Sequence, residues 1–98
     1  MEIRITHQDA MVVKLIGRLD TVTSVELSEA LAKEDIKEAL VIIDASELEY
    51  ISSAGLRLLI SLKKELGSKQ KALEIHSLND VCTEVFKVTG FINVLTVK

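Results

Sequence analysis

The chain has 98 residues, and its 48% hydrophobic content is enough for a core without disulfides or metals; with only 3% aromatics that core must be aliphatic. A net charge of −3 and a pI near 5.3 argue against the basic face that nonspecific nucleic-acid binding needs. The single cysteine, Cys82, excludes an internal disulfide and fits a reducing compartment.

The start, MEIRITHQDA, lacks the basic and apolar regions of a signal peptide, and no apolar run approaches the ~20 residues of a membrane span. The expectation is one domain over residues 1–98, cytoplasmic, with no membrane and no direct nucleic-acid partner. Met1–Thr6 alternates apolar and polar residues, the period of a half-buried strand. Gln8 and Asp9 form a turn, and Ala10–Ile16 is a second strand, closed by Gly17, that completes a hairpin. Thr23 and Glu26 fit a capping box, with Val22 and Leu27 at the staple positions, for a helix to about Lys33. After a charged connector, Ala39–Ile43 is a continuous apolar run that suits a strand buried on both faces. Asp44–Tyr50 reads as a polar loop anchored by Leu48 and Tyr50.

Ala54–Leu66 is the clearest helix, with Gly67 where a terminating glycine belongs. Ala72–His76 is a short strand. Asn79 or Asp80 caps a third helix through Val88, Gly90 ends it, and Ile92–Val97 is the last strand. The order β-β-α-β-α-β-α-β predicts an α/β layer fold: a mixed central sheet, parallel where strands alternate with helices, antiparallel at the opening hairpin.

The second helix carries the candidate site. At about 100° per residue, Gly55, Leu58, Leu59, Leu62 and Leu66 share the core face, while Arg57, Ser61, Lys64 and Ser68 lie opposite. Ser53 falls on that outward stripe just before the first turn, Ile60 lies on its flank, and Ala54 and Gly55 leave the backbone there uncrowded. Gly55 implies close approach of helix to sheet. A helix N-terminus has free N–H groups and a positive dipole end, so it tolerates a phosphate. Serine is also a favoured N-cap everywhere. With two serines, either Ser52 or Ser53 can cap and leave the other free.

Asp20 sits near the first helix and can cap it, with Thr21 and Thr23 then lining the same edge as Ser53. Cys82, beside Val81 and Val85, reads as a small core residue. His7 and His76 have no paired cysteine or nearby carboxylate pattern, so neither a metal site nor any cofactor is expected. The lysines 63, 64, 69 and 71 read as a solvated face. No enzyme motif is evident: Ile51 occupies the first glycine's place of a G-x-S-x-G elbow, and there is no P-loop or dinucleotide fingerprint.

Gly17-Arg-Leu-Asp20, then Asp44-Ala-Ser46, then Tyr50-Ile-Ser-Ser-Ala-Gly-Leu-Arg57, at these separations, resemble the STAS domain of bacterial anti-sigma factor antagonists. The resemblance covers nearly the whole chain and implies a phosphorylatable serine at Ser53, with Asp20 matching an aspartate that lies beside it. Many members carry aspartate immediately before the acceptor; here that place is Ser52, an alternate acceptor. It further implies a partner-switching protein that binds an anti-sigma factor of the ATP-dependent serine kinase type, and so frees a sigma factor. Phosphorylation would break that complex, and a serine phosphatase would reset it. The partner surface would comprise Asp20, Thr21, Thr23, Ser52, Ala54, Arg57, Ile60 and Lys64. Two other readings are a STAS scaffold in a larger signalling assembly and a small sugar-transport phosphocarrier. The phosphocarrier needs a histidine at a helix start, which neither His7 nor His76 offers.

Overall fold

The structure is a computed structural model that describes all 98 residues. Five strands and three helices alternate as expected: β1 (Glu2–His7), β2 (Met11–Leu19), α1 (Thr21–Ala32), β3 (Leu40–Ile51), α2 (Ser53–Ser68), β4 (Ala72–His76), α3 (Asp80–Thr89) and β5 (Thr96–Val97). They form one sheet in the order β1-β2-β3-β4-β5, antiparallel between β1 and β2 and parallel thereafter.

This order decides where the helices go. Each parallel crossover steps to the next strand in the same direction. Right-handed connections therefore put α1, α2 and α3 on one face. The burial pattern follows. Met11, Val13 and Leu15 of β2, Val41 and Ile43 of β3, and Leu73 and Ile75 of β4 are buried, while the residues between them are half-exposed or exposed. The run at Ala39–Ile43 is therefore not covered on both faces: Leu40 and Ile42 lie half-exposed on the helix-free side. No helix is long and apolar enough to cross a membrane.

Several boundaries move. Gly17 does not end β2; it sits inside the strand at φ 112°, a conformation that favours glycine, and pairing continues to Leu19. Asp44–Tyr50 is not a loop but the second half of β3. Its register against β2 slips between Lys14 and Ile16 and again between Gly17 and Arg18. Each slip gives β3 one extra residue, a bulge that breaks the alternation a strand is read by. At the first, Asp44 accepts a hydrogen bond from the Ser46 amide at 3.0 Å.

Helix α2 runs through Gly67 to Ser68, and the left-handed residue past its end is Gln70, at φ 62°. The Lys71 amide donates to Leu66 and the Gln70 amide to Gly67, the paired bonds of a Schellman close. The last strand is shorter than expected. Gly90 turns the chain at φ 80°, Phe91–Asn93 makes a 3-10 turn, and only Thr96–Val97 pairs with β4.

Candidate functional site at the ends of two parallel strands

The C-terminal ends of β2 and β3 lie side by side, with Leu19 opposite Ile51. One further bond, from the Ser52 amide to the Leu19 carbonyl at 2.8 Å, ties the strand ends together. Each strand then turns into a helix. The N-termini of α1 and α2, with their free amides and positive dipole ends, thus share one edge of the sheet.

At α1 the cap is Asp20, the alternative to Thr23 that the sequence also offers. The Asp20 carboxylate accepts from the amides of Val22 and Thr23, both at 3.0 Å. Thr23 Oγ1 accepts from the Asp20 amide at 2.8 Å and donates to the Arg18 carbonyl at 2.6 Å. The bond from the Thr23 amide, more than any other, holds the Asp20 carboxyl below its ordinary 3.8. Asp20 makes no hydrogen bond to Ser52 or Ser53; its charge is absorbed by its own helix. The Val22–Leu27 staple does not form, since Val22 is 71% exposed and Leu27 fully buried. Thr21, the first helical residue, is exposed.

At α2 the two serines divide. Ser52, in extended geometry, is the cap: its hydroxyl accepts from the Gly55 amide at 3.4 Å. Ser53 is the first helical residue, and its exposed hydroxyl has no hydrogen-bond partner within the protein. Gly55 sets the depth of this corner. A Cβ built there would lie 2.8 Å from Leu19 Cγ and 2.9 Å from Ile51 Cγ1, so only glycine lets α2 rest against the β2–β3 ends.

Along the outward stripe, Arg57 and Lys64 are exposed and engage no carboxylate, while Ile60 and Ala54 are half-buried. Ile60 packs against the rim of the core. The buried face is rotated slightly from the expected one: Leu56 is buried and Leu58 only half-buried.

Sequence reading missed one feature of this edge. Arg18, exposed and without an ion-pair partner, lies over the Tyr50 ring at 4.6 Å from its centroid. The two are register partners on β2 and β3, so no local pattern could pair them. The absent signal was the strand character of residues 44–50. Cys82 is fully buried in the core, and burial raises its thiol pKa. Contrary to expectation, both histidines meet carboxylates: His7 lies between Glu34 and Glu38, and His76 beside Glu74.

A mixed sheet carrying all helices on one face, with two helix N-termini at one edge, is the fold of solved anti-sigma factor antagonists. A crystal structure of one from Mycobacterium paratuberculosis superposes with a TM-score of 0.82 at 22% identity, over 98% of this chain and 83% of the other. The chain belongs to the STAS domain family, since residues 3–96 match the family described as Mlab, STAS domain. The anti-sigma-B factor antagonist of Listeria monocytogenes is 29% identical over 99 residues, covering 100% of this chain and 87% of that protein. The anti-sigma-B factor antagonist of Staphylococcus epidermidis is 33% identical over 89 residues, covering 88% and 81%. Proteins of this kind are regulators, not enzymes.

Proposed function

We propose that this protein is a phosphorylation-controlled partner switch whose acceptor is Ser53. In this reading residues 1–98 form one regulatory unit that works in the cytoplasm without a cofactor of its own. Unphosphorylated, it binds an anti-sigma factor and so frees a sigma factor. The anti-sigma factor is itself a serine kinase: the Ser53 hydroxyl attacks the γ-phosphorus of ATP, ADP leaves, and the hydroxyl proton passes to a base of the kinase. A serine phosphatase restores the hydroxyl.

The observation that carries this reading is the division of labour between the serines. Ser52 is engaged in capping, and Ser53 offers a free hydroxyl at the helix start. A phosphate there adds about −1.5 to −2 charges, which the helix N-terminus tolerates. The fold therefore survives modification and the effect falls on the partner.

In a docked interface the new charge must be desolvated beside a surface fitted to a neutral hydroxyl. A hundredfold loss of affinity is about 2.8 kcal/mol, within reach of one uncompensated buried charge at about 3–5 kcal/mol. Arg57 and Lys64 would meet acidic groups or the nucleotide end of the kinase, Ile60 would anchor the contact, and Asp20, Thr21, Thr23, Ser52 and Ala54 would frame it.

The test is phosphorylation of the purified protein by its anti-sigma kinase with ATP, followed by mass-spectrometric mapping. The expected product carries one phosphate on Ser53, and Ser53→Ala accepts none. Phosphate on Ser52, or unchanged labelling of Ser53→Ala, would overturn the assignment.

A further inference from the structure

At the end of the sheet opposite Ser53, the β1–β2 turn meets the connector that joins α1 to β3. His7, the last residue of β1, reaches across to it with both ring nitrogens. Nε2 lies 2.7 Å from Glu34 Oε1 and Nδ1 lies 2.8 Å from Glu38 Oε2. A neutral imidazole has one N–H and one lone pair, so it can satisfy only one of these carboxylates and repels the other. Only the imidazolium donates to both. The two carboxylates are not equivalent: the Glu38 side chain is nine-tenths buried and its Oε1 has no hydrogen-bond partner, whereas Glu34 is more open. The backbone amide of Glu38 does most to hold its carboxyl below the ordinary 4.5, and the imidazolium of His7 is the charged side chain that adds to it.

The connector is the lip of a cleft. Glu34, Asp35 and Ile36 line one side of a space of about 400 Å³ whose floor includes Leu31, Leu58 and Leu62, between α1 and α2. On the far side of the connector, the Lys71 ammonium donates to the carbonyls of Ile36 and Glu38 at 2.9 and 2.8 Å. Lys37 pairs with Asp35 in solvent. The charged groups around the imidazole are thus Glu34 and Glu38 facing it directly, with Lys71 held behind them by backbone carbonyls. Removing one proton from the imidazolium leaves His7 able to donate to only one of the two carboxylates, while the Lys71 bonds are unchanged.

We propose that His7 is a proton-operated latch that bridges Glu34 and Glu38 and so pins the lip of the α1–α2 cleft to the β1–β2 turn. The hydrogen bonds that His7 donates to Glu34 and Glu38 hold its pKa above the ordinary 6.5. A raised folded value means the latch is fully closed below pH 6.5 and opens as pH rises through the folded pKa. The latch is independent of the Ser53 reading, because it lies at the other end of both helices.

The experiment is an NMR pH titration of the full chain from about pH 5 to about pH 8.5, following the histidine ring signals and the backbone amides. His7→Gln assigns the ring signal and tests the coupling. The expected result is a His7 midpoint above 6.5. The amides of residues 34–38 should move with that same midpoint. In His7→Gln this connector titration disappears while the remaining spectrum is kept, and in Glu38→Gln the His7 midpoint falls. A His7 midpoint at or below 6.5, or connector amides that stay silent while His7 titrates, would overturn the proposal.

Discussion

Replacing Gly55 by alanine adds one methyl group at the point where α2 rests on the strand ends. The new Cβ would lie 2.8 Å from Leu19 Cγ, 2.9 Å from Ile51 Cγ1 and 3.0 Å from Leu19 Cδ2. Carbon atoms pack at about 3.5–4.0 Å, so the shortfall is about 0.7 Å at the tightest contact. Leu19 and Ile51 are both fully buried, and neither can swing into solvent to relieve it. Overpacking of this kind costs about 1–3 kcal/mol. Alanine's better helix propensity returns at most about 1 kcal/mol, and less at the third position of a helix. The expected net loss is about 1–2 kcal/mol, a fall in Tm of about 4–8 °C per kcal/mol for a domain of this size. Gly67, in the same helix, has nothing within 4 Å of a built Cβ. The identical substitution there should raise stability, by up to about 1 kcal/mol. Urea titration followed by circular dichroism reads both variants. If Gly55→Ala is as stable as the wild type, or if the two substitutions shift stability in the same direction, the close-approach argument fails.

Ser52→Ala removes a long cap bond and should destabilise toward the lower end of about 0.5–2 kcal/mol in the same urea assay, while kinase labelling of Ser53 is kept. Asp20→Asn keeps a capping oxygen and removes the charge. Because the Asp20 carboxyl is held below 3.8, its contribution is present above pH 3.8 and lost as pH falls through the folded value. Urea titrations at neutral and acid pH should therefore show wild type above Asp20→Asn at neutrality, with the gap shrinking below pH 3.8. Arg57→Glu changes an exposed residue with no ion pair, so stability should hold within about 0.5 kcal/mol. Calorimetric affinity for the anti-sigma factor should fall at least about tenfold, or about 1.4 kcal/mol; an unchanged affinity removes Arg57 from the interface.

Element order and sheet parity were legible because hydrophobic period and helix punctuation report them directly. What stayed hidden has local causes. Residues 44–50 read as loop because two bulges in β3 break the alternation and Asp44, Ser46 and Glu47 are polar. The sequence left Asp20 and Thr23 both open as the cap of α1, because threonine followed by glutamate three residues later is also a valid box; the choice is made by the bonds of the Val22 and Thr23 amides to the Asp20 carboxylate and of the Asp20 amide to Thr23 Oγ1. The exposed position of Ser53 could be read from helical phase, but its separation from Ser52 required the backbone geometry of the cap. The His7 bridge joins groups 27 and 31 residues apart, a spacing no motif encodes.

The central claim is that the Ser53 hydroxyl decides whether a partner binds. Wild type, Ser53→Ala and Ser53→Asp, used as baits in lysate of the source cell with bound proteins identified by mass spectrometry, test it most directly. The account predicts that wild type and Ser53→Ala retain an anti-sigma factor of the ATP-dependent serine kinase type and that Ser53→Asp loses it. Retention of the same proteins by all three baits would contradict it.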